Sequence, residues 1–90
     1  MSGYYVYIVE CSDGTLYTGI TQNHARRIRD HNLGRGASYT RSRRPVKLVY
    51  LEAYNLYNSA RNRELAIKRY RRTKKLELCI RYARRNGNAS

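Results

Sequence analysis

Phenylalanine and tryptophan are absent from these 90 residues, and ten tyrosines carry all of the aromatic content. A core built this way must use Tyr, whose hydroxyl needs a hydrogen-bond partner wherever it is buried. Such a chain has either a core with a polar rim or a surface on which rings stack against bases. Cysteine is scarce as well. Cys11 and Cys79 are the two present, too few for a disulfide framework and without a Cys-x-x-Cys spacing. Both are read as buried small hydrophobes, in a reducing compartment. No apolar run approaches the about 18 residues that suggest a membrane span. No charge–apolar–small pattern marks a signal peptide at the N-terminus. The expectation is an intracellular protein, cytoplasmic or nucleoid-associated, or nuclear if its host is a eukaryote, with no membrane partner. Acids are the scarcest polar class. Six Asp and Glu against 19 Lys and Arg leave a net charge of +13. Polyanions therefore head the list of partners: nucleic acid first, then anionic membrane, then acidic proteins, with ribosomal-type RNA binding sharing the same charge signature.

The length suits one domain spanning 1–90, ordered over about 4–84. A hydrophobic fraction of 41% suffices for one small core. Residues 4–11 (YYVYIVEC) are rich in β-branched and aromatic residues without helical spacing, and read as a strand. Asp13-Gly14 is a hairpin turn signal. Residues 15–20 (TLYTGI) give a second strand, in which Gly19 suits a bulge or a close backbone approach. A short basic helix follows over 21–31, capped by Thr21 or Asn23, with Ala25 and Ile28 as a thin apolar stripe. His24 is read as a surface residue. Residues 32–45 read as a loop loaded with arginine, and 46–53 as a third strand. A helix over 59–71 is expected behind an Asn58 or Ser59 cap. A last helix starts from a Thr73 cap and buries Leu76, Cys79, Ile80 and Ala83. The order is β-β-α-β-α-α, an α+β fold. The pairing sense of the third strand is not settled by the connection length, since a parallel crossover needs a dozen or more residues and 21–45 supplies them.

Three constellations could carry chemistry. Tyr7 and Tyr17 fall on neighbouring strands of the hairpin. If they share a face, their phenols can position a water or one can act as a base, although a phenol of pKa about 10 is a poor base at neutral pH unless perturbed. On spacing alone, cross-strand packing is the plainer explanation of the pair. Arg27 and His31 lie four apart on one helix and share a face. The first suits a phosphate oxygen and the second a proton relay, and a solvated basic helix is the plainer alternative. Glu64 points toward the apolar side of its helix. A single carboxylate with phosphate and water oxygens suits Mg²⁺ or Mn²⁺, whereas a pair with Lys68 would be ordinary helix electrostatics. No P-loop, zinc spacing or Ser-His-Asp arrangement is present.

These signals occur in the order of a known family. Tyr5-Val6-Tyr7, Tyr17-Thr18-Gly19, Arg27 with His31, and Glu64 resemble the GIY-YIG nucleases over about residues 4–82, most closely the small stand-alone members. Those share stretches such as Gly34-Arg35-Gly36-Ala37-Ser38-Tyr39-Thr40, Arg44-Pro45-Val46 and the ELAIK run from Glu64 to Lys68. The resemblance implies a three-stranded antiparallel sheet flanked by helices. It implies metal-dependent hydrolysis of DNA phosphodiesters, in repair, recombination or processing. By resemblance Tyr17 or Tyr7 orients or deprotonates the attacking water, Arg27 stabilises the developing charge, Glu64 holds the metal, and His31 relays a proton or touches phosphate. The family's later asparagine has no counterpart in the elements expected, since Asn86 and Asn88 lie in the tail. Nucleic-acid contacts are expected from Arg26, Arg35, Tyr39, Arg41, Arg43, Arg44, Lys68, Lys74 and Lys75. No segment reads as a DNA-targeting domain, which suggests structure-selective cleavage and a separate targeting protein. The alternative is a basic nucleic-acid-binding module without catalysis.

Overall fold

Seven elements follow one another in the computed structural model, which describes residues 3–86. They are β1 (Tyr4–Glu10), β2 (Leu16–Thr21), α1 (His24–Asn32), α2 (Ser38–Arg41), β3 (Lys47–Tyr54), α3 (Tyr57–Lys68) and α4 (Arg72–Arg85). The strands form one sheet in the order β2-β1-β3 with both pairs antiparallel. This answers the question of pairing sense that connection length left open. The central strand is buried on both faces, which is why its sequence is a continuous apolar run rather than an alternation.

The hairpin forms as its turn signal predicts. Gly14 takes the left-handed conformation at φ +84°. The Asp13 carboxylate accepts from the Thr15 hydroxyl at 2.6 Å and the Thr15 amide at 3.1 Å. Those two bonds, with Arg43 nearby, hold the Asp13 carboxyl below the usual range.

Directly paired residues share a face, so the register sorts the side chains into two layers. Val6 and Ile8 pack with Tyr50 of β3 and with Ala60 and Ile67 of α3. Tyr7 and Val9 look the other way and pack with Cys11 and Val46, and with Ile28 of α1. Helices α3 and α4 therefore cover one face, while α1 and α2 lie on the other.

Several element ends differ from the sequence expectation. Helix α1 begins at His24, with the Asn23 side chain accepting from the Arg26 amide at 3.1 Å, while Thr21 ends β2. Ala25 is exposed, so the inner side of α1 is Ile28 and the fully buried His31. Gly34, at φ +82°, closes α1 in the left-handed conformation that favours glycine. The expected loop contains the single turn α2. Helix α3 starts at Tyr57 behind Leu56, ahead of the expected Asn58 or Ser59 cap, and ends at Lys68 rather than Arg71. Thr73 caps nothing, because α4 already begins at Arg72. Helix α4 presents Leu78, Cys79 and Tyr82 to the core, and Ile80 is 52% exposed. Cys11 is buried, and Cys79 is half-buried, with burial pushing its thiol up to about 11. Arg85, just beyond the expected ordered range of about 4–84, is the last residue of α4. Asn86 donates to the Tyr82 carbonyl at 2.8 Å and so closes that helix. Asn88 lies outside the described residues. No helix among the described residues is long and apolar enough to cross a membrane.

Candidate active site

The site grows from the register of the hairpin. Tyr7 stands opposite Gly19, and the glycine leaves the space that the Tyr7 ring occupies. A Cβ at position 19 would fall onto the phenol oxygen and lie 2.9 Å from Cε2. The ring therefore leans over β2 toward α1. There its hydroxyl lies 2.9 Å from His31 Nε2, and Arg27 Nε donates to it at 3.3 Å. Arg27 and His31 reach one phenol because they are one helical turn apart.

His31 is itself held from behind. Its Nδ1 lies 2.8 Å from the Thr40 hydroxyl, and that hydroxyl donates to the Ala37 carbonyl at 2.9 Å. With its only proton committed to Ala37, Thr40 must accept from His31, so the imidazole carries its proton on Nδ1. Nε2 is then the acceptor for the Tyr7 O–H. Gly36 makes room for this ring, since a Cβ there would lie 2.8 Å from His31 Cγ and collide with Nδ1. The result is a directional chain: Arg27 donates to Tyr7, Tyr7 to His31, His31 to Thr40, and Thr40 to Ala37.

The protonation states follow from the surroundings. Burial raises the Tyr7 pKa against the opposing hydrogen bond and charge of Arg27. Burial and the Arg27 charge lower that of His31. At neutral pH the pair is thus a neutral phenol donating to a neutral imidazole. The bond to Tyr7 outweighs desolvation to raise the pKa of Arg27, which stays a cation.

Tyr17 adds a second layer. Its ring meets His31 edge-on, with centroids 5.6 Å apart, and stacks on Tyr39 at 5.8 Å. Arg43 covers the Tyr39 ring at 3.9 Å, binds Asp13 at 3.0 Å and donates to the Tyr39 carbonyl at 2.8 Å. Arg43 is therefore a strut, and Tyr39 has a neighbour on each face. Arg44 donates to the Arg41 carbonyl at 2.8 Å. Arg26 of α1, Arg41 of α2 and Arg35 between the two helices are exposed. Lys68, Lys74 and Lys75 come from the α3–α4 layer instead, with Lys74 lying 4.1 Å over the Tyr70 ring. His24, expected at the surface, is half-buried with its ring edge-on to Tyr5 at 4.8 Å.

Glu64 belongs to the stripe Ala60–Glu64–Ile67 that α3 buries against the sheet. It shares no hydrogen bond with the other four candidates among the described residues, but its negative charge is among the influences that raise the Tyr7 pKa. Its side chain is 5% exposed. Arg61 binds Oε1 at 2.8 Å and Lys68 binds Oε2 at 3.2 Å. Among the described residues no three His, Cys, Asp or Glu gather as a metal cage. A buried carboxylate whose second oxygen is held by a half-exposed ammonium fits a hard divalent cation completed by water and substrate oxygens.

Thr40 and Gly36 were not singled out by sequence reasoning. Both lie in the Gly34–Thr40 stretch, but their contacts with His31 are set by the loop's path, not by local spacing.

Comparisons with known proteins identify the family of the domain that carries this geometry. The model of the GIY-YIG catalytic domain matches residues 3–77. A UPF0213 protein of Haloquadratum walsbyi is 55% identical over 75 residues, covering 83% of this chain and 84% of that protein. A UPF0213 protein of Staphylococcus aureus is 53% identical over 78 residues, covering 87% and 95%. The solution NMR structure of a UPF0213 protein from Bacillus halodurans matches with a TM-score of 0.56 and 45% identity, covering 84% of this chain and 81% of that one. A protein from E. faecalis, also solved by NMR, gives 0.57 and 36%, covering 81% and 78%. Tyr7, Tyr17, Arg27 and His31 thus meet within a domain matched along most of its length, and the chain belongs to the GIY-YIG catalytic domain family.

Proposed function

We propose that the protein is a divalent-metal-dependent endonuclease that hydrolyses DNA phosphodiester bonds, acting by preference on particular DNA structures. The observation that carries this reading is the chain from Arg27 through Tyr7 to His31 and Thr40. A lone phenol is a weak base at neutral pH. Tyr7 differs because an imidazole acceptor already lies 2.9 Å from its oxygen. As water gives a proton to the Tyr7 oxygen, the phenolic proton passes to His31 Nε2. The Thr40 hydroxyl supports the imidazolium by accepting from Nδ1. Among the described residues Tyr17 has no such acceptor, which favours Tyr7 as the base and leaves Tyr17 to orient the water or the phosphate.

Arg27 would bind the scissile phosphate with the guanidinium nitrogens that Tyr7 does not use. Fixed cations aimed at developing charge contribute several kcal/mol, on the order of 3. Glu64 would hold Mg²⁺ or Mn²⁺, which would polarise the phosphate and stabilise the leaving oxygen. Arg26, Arg35 and Arg41 would follow the DNA backbone.

A basic binding module without catalysis remains the second reading, because Arg61 and Lys68 already neutralise Glu64 without a metal. One experiment separates the two. Labelled linear, nicked, flap and branched DNAs are incubated with Mg²⁺, Mn²⁺ or EDTA beside Glu64→Gln and Arg27→Ala. Metal-dependent nicking, lost in both variants while Glu64→Gln still binds, is the expected result. Tight salt-sensitive binding without cleavage of any DNA would refute the nuclease.

A further inference from the structure

A cleft of about 570 Å³ opens between β3, α3 and α4 on the side of the sheet away from Tyr7. Its placement follows from the register. Glu52 pairs with Val6, while its neighbour Leu51 pairs with Tyr7, so Glu52 looks into the opposite layer. The floor is a closed network. Glu52 Oε1 accepts from the Tyr54 hydroxyl at 2.8 Å and from Arg63 Nε at 3.0 Å, and Arg63 Nη1 donates to the Tyr70 hydroxyl at 3.2 Å. Arg63 is occupied in this structural role.

The wall is different. Arg81, Arg84 and Arg85 line the cleft from α4, and their i, i+3, i+4 spacing puts them on one helix face. All three are exposed, and none takes part in an ion pair among the described residues. Like charges at this spacing destabilise a helix. Glu52, the one acid in the lining, is already committed to Arg63.

We propose that this cleft is a second phosphodiester-backbone site, so that one chain holds two nucleic-acid segments on opposite faces. The three arginines span four residues, an axial rise of about 6 Å. Phosphates of one strand follow at about 3.4 Å along the duplex axis, so this span serves successive phosphates better than a single one. Glu52 and Arg63 on the floor neutralise each other, so the unpaired positive charge of the cleft sits at the guanidinium rim. The described part of the molecule measures 31 × 29 × 26 Å, so two arms of a branched DNA can flank it. The proposal takes the polyanion's identity from the nuclease reading and adds the substrate class: nucleic acid that offers two segments.

The test counts duplexes. A short DNA duplex is titrated into the wild type, Glu64→Gln, and the combined Arg81→Gln, Arg84→Gln, Arg85→Gln variant by calorimetry. The expected stoichiometry is two duplexes per chain for the first two proteins and one for the combined variant. Its log–log salt slope should fall by about 2.7 units, about 0.9 for each arginine, and lysine at the three positions should restore both. Cleavage of linear duplex should be unchanged in the combined variant, while cleavage of a branched DNA falls about tenfold. If no protein cuts any DNA, the nuclease reading fails and the stoichiometry still decides the cleft. One duplex per wild-type chain, or two retained by the combined variant, would overturn the proposal. So would saturation of the cleft by inorganic phosphate or an oligoglutamate peptide with only one duplex bound.

Discussion

Replacing Gly19 by alanine should disable the proposed reaction with little effect on folding. Gly19 has no positive φ, so alanine meets no backbone strain and gains the roughly 0.5–1 kcal/mol that glycine costs inside a strand. The added Cβ falls onto the Tyr7 phenol, with Cε2 at 2.9 Å. Tyr7 is 1% exposed and His31 0%, so the ring can retreat only by breaking its bonds to His31 and Arg27. Overpacking of this kind costs about 1–3 kcal/mol, which the strand gain offsets in part. Net destabilisation should therefore stay within about 2.5 kcal/mol. Restoring ordinary contact moves the hydroxyl by roughly 1 Å, a displacement that can cost about 100-fold in rate. The assay is single-turnover cleavage at saturating protein, read beside DNA affinity and thermal melting. Gly14→Ala is the control. That position has open space but a φ of +84°, so the control should lose stability and keep its rate. A Gly19→Ala rate within about threefold of wild type would refute the claim that catalysis needs the phenol where it stands.

Three further outcomes follow from particular contacts. The folded-state pKa of His31 lies below its ordinary 6.5. In the window between the two values the unfolded chain binds more protons, so stability falls as pH drops below 6.5 and levels off under the folded value. Urea melts between neutral and acid pH should show that slope in the wild type and not in His31→Gln, and equal slopes would remove the histidine as its source. Lys68 holds Glu64 Oε2 with its own side chain 45% exposed. An exposed ion pair is worth about 0.2–1 kcal/mol, so Lys68→Met should lower the Mg²⁺ needed for half-maximal rate by up to about fivefold at saturating DNA, and a higher requirement would contradict metal binding at Glu64. Arg35→Gln and Arg41→Gln should each flatten the log–log salt slope of DNA binding by about 0.9. Arg43→Gln, which breaks the contacts to Asp13 and Tyr39, should instead lower the melting temperature, and a loop whose variants all keep the wild-type slope is not part of the footprint.

Most of the architecture was legible because its signals are local. Asp13-Gly14 marks the hairpin, and the unbroken apolar run of β1 marks a central strand. What escaped depends on tertiary placement. Helix α2 is four residues long, too short to show a period. Helix α3 starts behind Leu56, which makes no side-chain cap, so tertiary packing fixes that boundary. Helix α4 has no fully buried residue. Leaning on an edge strand, it buries a stripe rotated toward Leu78 and Tyr82, and Ile80 faces out. At the site, residue types and spacing single out Tyr7, Arg27 and His31. Which of three neighbouring arginines turns inward is set by how α1 lies on the sheet. Thr40 of α2 is tied to His31 of α1, nine positions away, by the path of the connection between the two helices, and no periodicity reports such a contact.

In the proposed reaction the opposed shifts of Tyr7 and His31 would hold the base in check until substrate binds. Burial keeps the proton on the phenol, while burial and the Arg27 charge keep it off the imidazole. Resting transfer from oxygen to nitrogen is thus opposed at both ends. In the proposed reaction a phosphate bound to Arg27 changes the second end. Its negative charge offsets the guanidinium that depresses His31, and the imidazole becomes a stronger acceptor while the water lies against Tyr7. The phenol then need not ionise on its own, because its proton leaves as the water's arrives. In the proposed reaction Arg27 would therefore have two effects through one position: it would bind the substrate and, once neutralised by it, release the base. A lysine at 27 would keep the charge but lose the planar fork that engages Tyr7 and phosphate together, so this coupling depends on the shape of the arginine as well as its sign.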